Sequence, residues 1–259
     1  MNIIVPIKVL ADDQDIVVAA DRSLDDSKAH RIVSTYDLNA IEAAVQLASA
    51  HADSKVVCVS VADAKADDSK LKKGILARGV DELVMIADDA CADLDAHATA
   101  AMLARLVDGL DAADLIVCGD GSADNYAQQV DVQLADALGL PVVTAVSAVS
   151  VEGAVATCDR MLETQLQTVQ VDLPAVISVV PRHRAAPHPR HEGHPRRRQE
   201  AVLRERRFRC GGRGRRRRGD QGAAAGRAQD GNAGRLGRRR SGEIRGRPQS
   251  GPVGKVMWT

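Results

Sequence analysis

Between residues 3 and 138 the chain alternates short apolar runs with segments of helical periodicity, and that alternation leaves it few architectures. Ile3-Ile-Val-Pro-Ile7, Val56-Val-Cys-Val-Ser-Val61, Leu83-Val-Met-Ile-Ala87 and Asp114-Leu-Ile-Val-Cys118 have strand length and are apolar at successive positions. Strands covered on both faces read this way. Between and after them lie four helical patterns. One starts at about Asp37 (Leu38, Ile41, Ala44, Val45, Ala48); a second runs through Leu71, Ile75 and Leu76 to Gly79. A third runs from about Asp95 to Gly109, and a fourth carries Val130, Leu134 and Leu138 before Gly139 and Pro141. Strand–helix repetition predicts an α/β fold with a mostly parallel sheet flanked by helices. Beyond Pro141 the pattern turns β-like, with Glu152-Gly153 and Leu173-Pro174 as punctuation. It predicts antiparallel β-hairpins within 142–180, at an edge of the sheet or underneath it.

The pivotal stretch is Asp114-Leu-Ile-Val-Cys118-Gly119-Asp120-Gly121-Ser122-Ala-Asp124-Asn125-Tyr126-Ala-Gln128-Gln129-Val130. A strand meets a Gly-rich turn and then a helix, whose opening N–H groups and dipole favour an anion. An ordinary strand-to-helix turn has the same appearance. Ligands of such sheets sit at the carboxyl ends of the strands. That places Pro6, Val61, the entry to the first helix and the 119–130 turn on one rim. The rim suits a nucleotide, and an unused structural edge equally well.

Net charge is zero, but it divides sharply. Residues 1–181 carry 12 Lys+Arg against 29 Asp+Glu, leaving 23 (35 − 12) against 6 (35 − 29) for residues 182–259. The chain therefore splits into an acidic globular part, 1–181, and a basic tail, 182–259. The five cysteines form no C-x-x-C pair, and three lie in or beside apolar runs, as buried thiols of a reducing compartment do. The N-terminus lacks a secretory pattern, and no apolar run reaches membrane-spanning length. These features read as a soluble cytoplasmic protein without a membrane partner.

Four separated motifs carry a resemblance. They are Ser34-Thr-Tyr-Asp37-Leu-Asn39-Ala-Ile-Glu42-Ala-Ala, Leu76-Ala-Arg78-Gly79-Val-Asp81-Glu82-Leu, Cys118 through Val130, and Leu173-Pro-Ala-Val-Ile-Ser-Val179. In this order they resemble the β subunit of electron transfer flavoprotein, of the FixA type linked to carnitine metabolism. The resemblance covers about 1–181. It implies an electron carrier without catalytic side chains of its own, paired with an α subunit (FixB type) that holds most of the FAD. Dehydrogenases and quinone-reductase-type proteins are the implied redox partners. The β subunit itself binds AMP, or a second FAD in bifurcating members. Carried over by position, the nucleotide contacts are Pro6, Ser34, Thr35, Tyr36, Asp37, Val61, Gly119, Asp120, Gly121, Ser122, Ala123, Asp124, Asn125, Tyr126, Ala127, Gln128, Gln129 and Val130. No catalytic or metal residue is implied. Backbone amides would take the phosphate, with Ser122 and Gln129 adding side-chain hydrogen bonds. Where most members carry Asp-Gly-Asp-Thr, this chain has Ala123-Asp124-Asn125-Tyr126, which leaves the nucleotide open. Asp120 and Asp124 would repel a phosphate, so they are expected to face solvent or cap the helix. Tyr36 and Tyr126 are expected to pack and cap. Lys70, Lys72 and Lys73 read as a solvated face, and Cys118 as buried and inert.

The tail is of another kind, with 22 arginines in its 78 residues. Such a composition cannot bury enough surface to fold, which predicts disorder. Three readings compete: nucleic-acid binding through phosphates, a metal site at His188–His194, and an out-of-frame translation. Back-translating residues 187–201 with GC-rich codons and reading one nucleotide later yields Arg-Ile-Pro-Gly-Met-Lys-Ala-Ile-Leu-Ala-Ala-Gly-Lys-Lys-Pro. This is close to the segment that follows the last core strand in the family, where it forms the docking loop for partner dehydrogenases. A frame displacement near 180–182 is therefore the expectation. Other functions remain: a stand-alone nucleotide-binding or stress-sensor module, and RNA binding through the tail. A nucleotide hydrolase would want Ser-Gly-Gly-x-Asp-Ser after strand one, where Lys8-Val-Leu-Ala-Asp-Asp stands.

Overall fold

Strand β1 (Asn2–Pro6) lies at the centre of a nine-stranded sheet because its residues are buried on both faces: Ile3 and Val5 point into one core, Ile4 into the other. A computed structural model describes residues 1–180 and the backbone of 202–205. All of these fall in one compact unit.

After β1 come two small antiparallel ladders, β2 (Val9–Ala11) with β5 (Arg31–Val33) and β3 (Val17–Val18) with β4 (Leu24–Asp25). Sequence reading saw only a polar stretch here. Then follow α1 (Thr35–Ala50), β6 (Lys55–Ala62), α2 (Ser69–Leu76), β7 (Glu82–Ala87), α3 (Ala96–Asp108), β8 (Leu115–Gly119) and α4 (Val130–Leu138). The remaining strands are β9 (Val142–Glu152), β10 (Val155–Met161), β11 (Leu166–Asp172), β12 (Ala175–Val179) and β13 (Val202–Glu205). The order across the sheet is β11-β10-β9-β12-β8-β1-β6-β7-β13, parallel from β9 to β13 and antiparallel from β9 to β11. The α/β architecture is thus the expected one, and β9, β10 and β11 are the expected hairpins.

One placement needs correction. Residues 175–180 were expected among strands at an edge or underneath, yet β12 lies inside the sheet between β9 and β8 and is parallel to both. All five of its residues are buried, so the interior position covers Val176 on one face and Ile177 on the other. Helix α1 packs on the face with Ile3 and Val5, whereas α3 and α4 cover the face with Ile4 and Ile116. Caps fall where expected: the Asp95 side chain accepts from the Ala98 N–H, and Gly139 closes α4 at φ 67°.

Lys72 departs from the solvated face expected of it. It is 6% exposed and its ammonium pairs with Asp67, its apolar stem lying under the helix. Cys58, Cys118 and Cys158 are buried and free, and Cys91 is buried as well. Burial pushes the Cys118 thiol far up, which leaves it inert as expected. Among the described residues, no helix is long and apolar enough to cross a membrane. The disorder expected of the whole tail does not hold at Val202–Glu205, which forms β13 and pairs in parallel with β7; the other expectations for the tail lie outside the described residues.

Candidate functional site

From β1 the chain winds outward to β6 and β7, then returns through α3 to β8 on the other side of β1. The winding reverses between β1 and β8. In an open parallel sheet, that crevice at the carboxyl ends of the strands is where ligands bind. The residues gathered there are Pro6 at the end of β1, the start of α1, Gly119 at the end of β8, and the loop leading to α4. That loop spans residues 120–129, long for a strand-to-helix connection, and such length usually marks function.

Asp37 ties these pieces together. Its carboxylate accepts the Lys8 N–H at 2.7 Å and also the Gly119 N–H, joining the exits of β1 and β8 to the first turn of α1. The approach is so close that a Cβ on Gly119 would lie 2.6 Å from Asp37 Oδ1 and 3.0 Å from the Tyr36 carbonyl carbon. Only glycine fits there. Burial raises the Asp37 pKa to about 7, against the two N–H donors. Asp37 is thus a buried clasp between α1 and the ends of β1 and β8. Ser34 is fully buried, and its hydroxyl takes the Ala123 N–H at 3.2 Å instead of capping α1.

The first part of the 120–129 loop is held by side chains. Lys8 Nζ reaches Asp124 Oδ2 at 2.5 Å, and the Ser122 hydroxyl donates to Asp124 Oδ1 at 2.5 Å. With these partners the Asp124 pKa falls to about 2 despite its burial. Asp124 is half-exposed and charge-paired, which agrees with the solvent-facing expectation. Asp120 does not. It is 6% exposed, caps no helix, and its Oδ2 accepts the Tyr126 hydroxyl at 2.7 Å. Among the described residues its buried Oδ1 has no hydrogen-bond partner. Burial raises its pKa, and Asp131 in the first turn of α4 adds to the rise. Sequence reasoning placed Asp120 outside because two carboxylates near a phosphate site repel it. It did not foresee that a tyrosine six residues on would fold back over one of them.

Tyr126 itself has an exposed side and packs against Tyr36, with ring centroids 5.0 Å apart and planes tilted by 39°. Its ring lies over Gly121, where a Cβ would come within 2.3 Å of it. Tyr126 and Gln128 hold positive φ (45° and 53°), a left-handed conformation that costs a side-chain-bearing residue about 1–2 kcal/mol. Thr35, Ala123, Asn125, Ala127, Gln128 and Gln129 are exposed along the same rim, while Tyr36, Val61, Gly121, Ser122 and Val130 are half-buried and Pro6 is buried. Gln129 Oε1 accepts from the Gln133 side chain at 3.3 Å. In α4 the first backbone bond from a residue inside the helix is Gln133 N–H to the Gln129 carbonyl, so the opening N–H groups have no partner within the helix.

Two residues of the site were missed in the sequence. Lys8 supplies an N–H to Asp37 and an ammonium to Asp124; its signal was a lone cation directly after an apolar first strand. Asp131 is 6% exposed in the first turn of α4, where an acid also suits the helix dipole. Among the described residues, no group of three His, Cys, Asp or Glu could hold a metal ion.

The crevice gathers backbone amides at a helix start, which favour an anion. The profile of the electron transfer flavoprotein domain matches residues 21–202, about 70% of the chain. The chain belongs to the electron transfer flavoprotein domain family, whose members carry electrons rather than catalyse a reaction.

Proposed function

We propose that this chain is the β subunit, of FixA type, of a heterodimeric electron transfer flavoprotein in the cytoplasm. It binds AMP, or a second FAD, in the crevice between β1 and β8. Its α-type partner (FixB type) holds most of the redox-active FAD, the group through which electrons pass. Dehydrogenases and quinone-reductase-type proteins are the donors and acceptors, with a link to carnitine reduction.

One observation carries the reading: the Ser34–Asp37 turn and the 119–130 loop are separate in sequence yet clasped together at the sheet's reversal point, through Asp37 with Gly119 and Ser34 with Ala123. The donor set fits a nucleotide. The opening N–H groups of α4 suit the phosphate, and Lys8 places a cation beside the loop. Large apolar side chains stand exposed on two hairpins, Val17, Val18 and Leu24 on one and Met161 and Leu166 on the other. Exposed apolar residues of this kind support a protein partner. Co-expression with a FixB-type subunit tests the assignment. With the frame restored after residue 181, a yellow heterodimer that keeps its flavin through gel filtration is expected, and a colourless, unpartnered restored chain would refute the assignment; the chain as it stands should dock poorly, because in the family the segment beyond the docking loop wraps the α subunit.

For residues 182–259 the reading is a frame displacement near 180–182, which removes the family's docking segment and leaves the nucleotide-binding part intact. Sequencing the gene across codons 175–205 decides it. One base gained or lost is expected; an intact frame makes the basic tail genuine and nucleic-acid binding the next assay.

A further inference from the structure

Tyr126 is held in place more firmly than a loop side chain needs to be. Its hydroxyl donates to Asp120 at 2.7 Å, its ring lies on Gly121 so closely that no side chain fits beneath it, and it packs tilted against the Tyr36 ring. Its backbone sits at φ 45°, a conformation kept only when the surroundings impose it. Yet the residue is 43% exposed, so this anchoring leaves part of its surface open to solvent. Its hydroxyl's acceptor, the nine-tenths-buried Asp120, has no partner for Oδ1 among the described residues. Buried polar atoms are normally satisfied, and one left open beside a crevice points to a ligand or ordered water.

We propose that Tyr126 is the stacking platform for the base of the bound nucleotide, and that Asp120 is the positioning residue that fixes its ring. The inference rests on the nucleotide reading above and deepens it. An immobile aromatic face recognises a base by stacking, which favours the larger purine ring and hence an adenine nucleotide over a pyrimidine one. Because the hydroxyl is committed to Asp120, what the ligand meets is the ring and not a hydrogen-bonding group.

The test titrates the full chain, wild type and variants, with AMP, CMP and ribose 5-phosphate by calorimetry. Tyr126→Ala is expected to weaken AMP about ten-fold or more, the usual loss for one stacked base. It should leave ribose 5-phosphate unchanged and erase the preference for AMP over CMP. Tyr126→Phe keeps the ring but loses its bond to Asp120, so its AMP affinity should fall between wild type and Tyr126→Ala. Asp120→Asn keeps an acceptor for the hydroxyl and should stay closer to wild type than Tyr126→Phe does. Equal weakening of AMP and ribose 5-phosphate in Tyr126→Ala would assign the residue a structural role and overturn the proposal. Unchanged AMP affinity in Tyr126→Ala would overturn it as well. Failure of the wild-type chain to bind AMP would instead sink the nucleotide reading on which the platform depends.

Discussion

Replacing Gly119 by alanine adds a single methyl group at the most crowded point of the crevice. The new Cβ would lie 2.6 Å from Asp37 Oδ1, 3.0 Å from the Tyr36 carbonyl carbon and 3.2 Å from the Asp37 nitrogen, where ordinary contact begins at 3.4 Å. The carboxylate can swing, but only by weakening its bond to the Lys8 N–H, now 2.7 Å, and to Gly119 itself. The backbone of Tyr36 cannot retreat without α1, whose Ala40, Ile41, Ala44 and Val45 are fully buried. Overpacking of this kind costs about 1–3 kcal/mol. A weakened hydrogen bond to a buried charged group adds about 1.5–3 kcal/mol. Gly119→Ala should therefore lose about 3–5 kcal/mol, a large share of the roughly 5–15 kcal/mol of a typical domain. Urea denaturation followed by circular dichroism reads the change. Gly74→Ala is the control: this helical glycine of α2 has nothing within 4 Å of an added Cβ, so the change should stabilise by about 0.5–1 kcal/mol. If Gly119→Ala unfolds within about 0.5 kcal/mol of wild type, the clasp between α1 and β8 does not exist as described.

Asp37 should also make stability depend on pH. Its folded pKa of about 7 exceeds the ordinary 3.8, so the unfolded chain gives up this proton first. The contribution is complete below about pH 4 and is lost as pH rises through 7, at up to about 1.4 kcal/mol per pH unit. Urea midpoints should fall across that range in wild type and fall less in Asp37→Asn; matching slopes in the two proteins would contradict the assignment. The half-exposed Lys8–Asp124 pair should show a coupling of only about 0.2–1 kcal/mol in a double-mutant cycle, shrinking in high salt. In Lys8→Ala the Asp124 pKa, now about 2, should rise toward the ordinary carboxylate value, as a carboxyl-detected titration would read; no rise would mean that the pair is not formed.

What was legible in the sequence was local. β1, β6, β7 and β8 announced themselves because strands covered on both faces are apolar throughout, and α3 because Asp95 and Gly109 mark its ends. The residues of β12 were equally apolar, but apolarity does not say which strand lies alongside, and the step from β11 into the gap between β9 and β8 is a long-range decision. The site shows the same division. The Gly-rich turn after β8 was visible as a motif, and its union with Ser34–Asp37 followed from resemblance and the rule for strand ends. The burial of Asp120 was not visible, because it depends on Tyr126 turning back through a left-handed backbone. Nor was the role of Lys8, whose partners Asp37 and Asp124 come 29 and 116 residues later. Lys72 looked like one of three surface lysines because pairing with Asp67 cannot be read from charge spacing alone.

The central claim is that this chain holds a nucleotide in the crevice between β1 and β8. The most direct measurement is to purify the full chain, denature it and identify what it releases by chromatography and mass spectrometry. One AMP or one FAD per chain, released by wild type and missing from Gly119→Ala, is the predicted result. A natively folded chain that releases no nucleotide and takes up none on incubation with AMP or FAD would contradict the account.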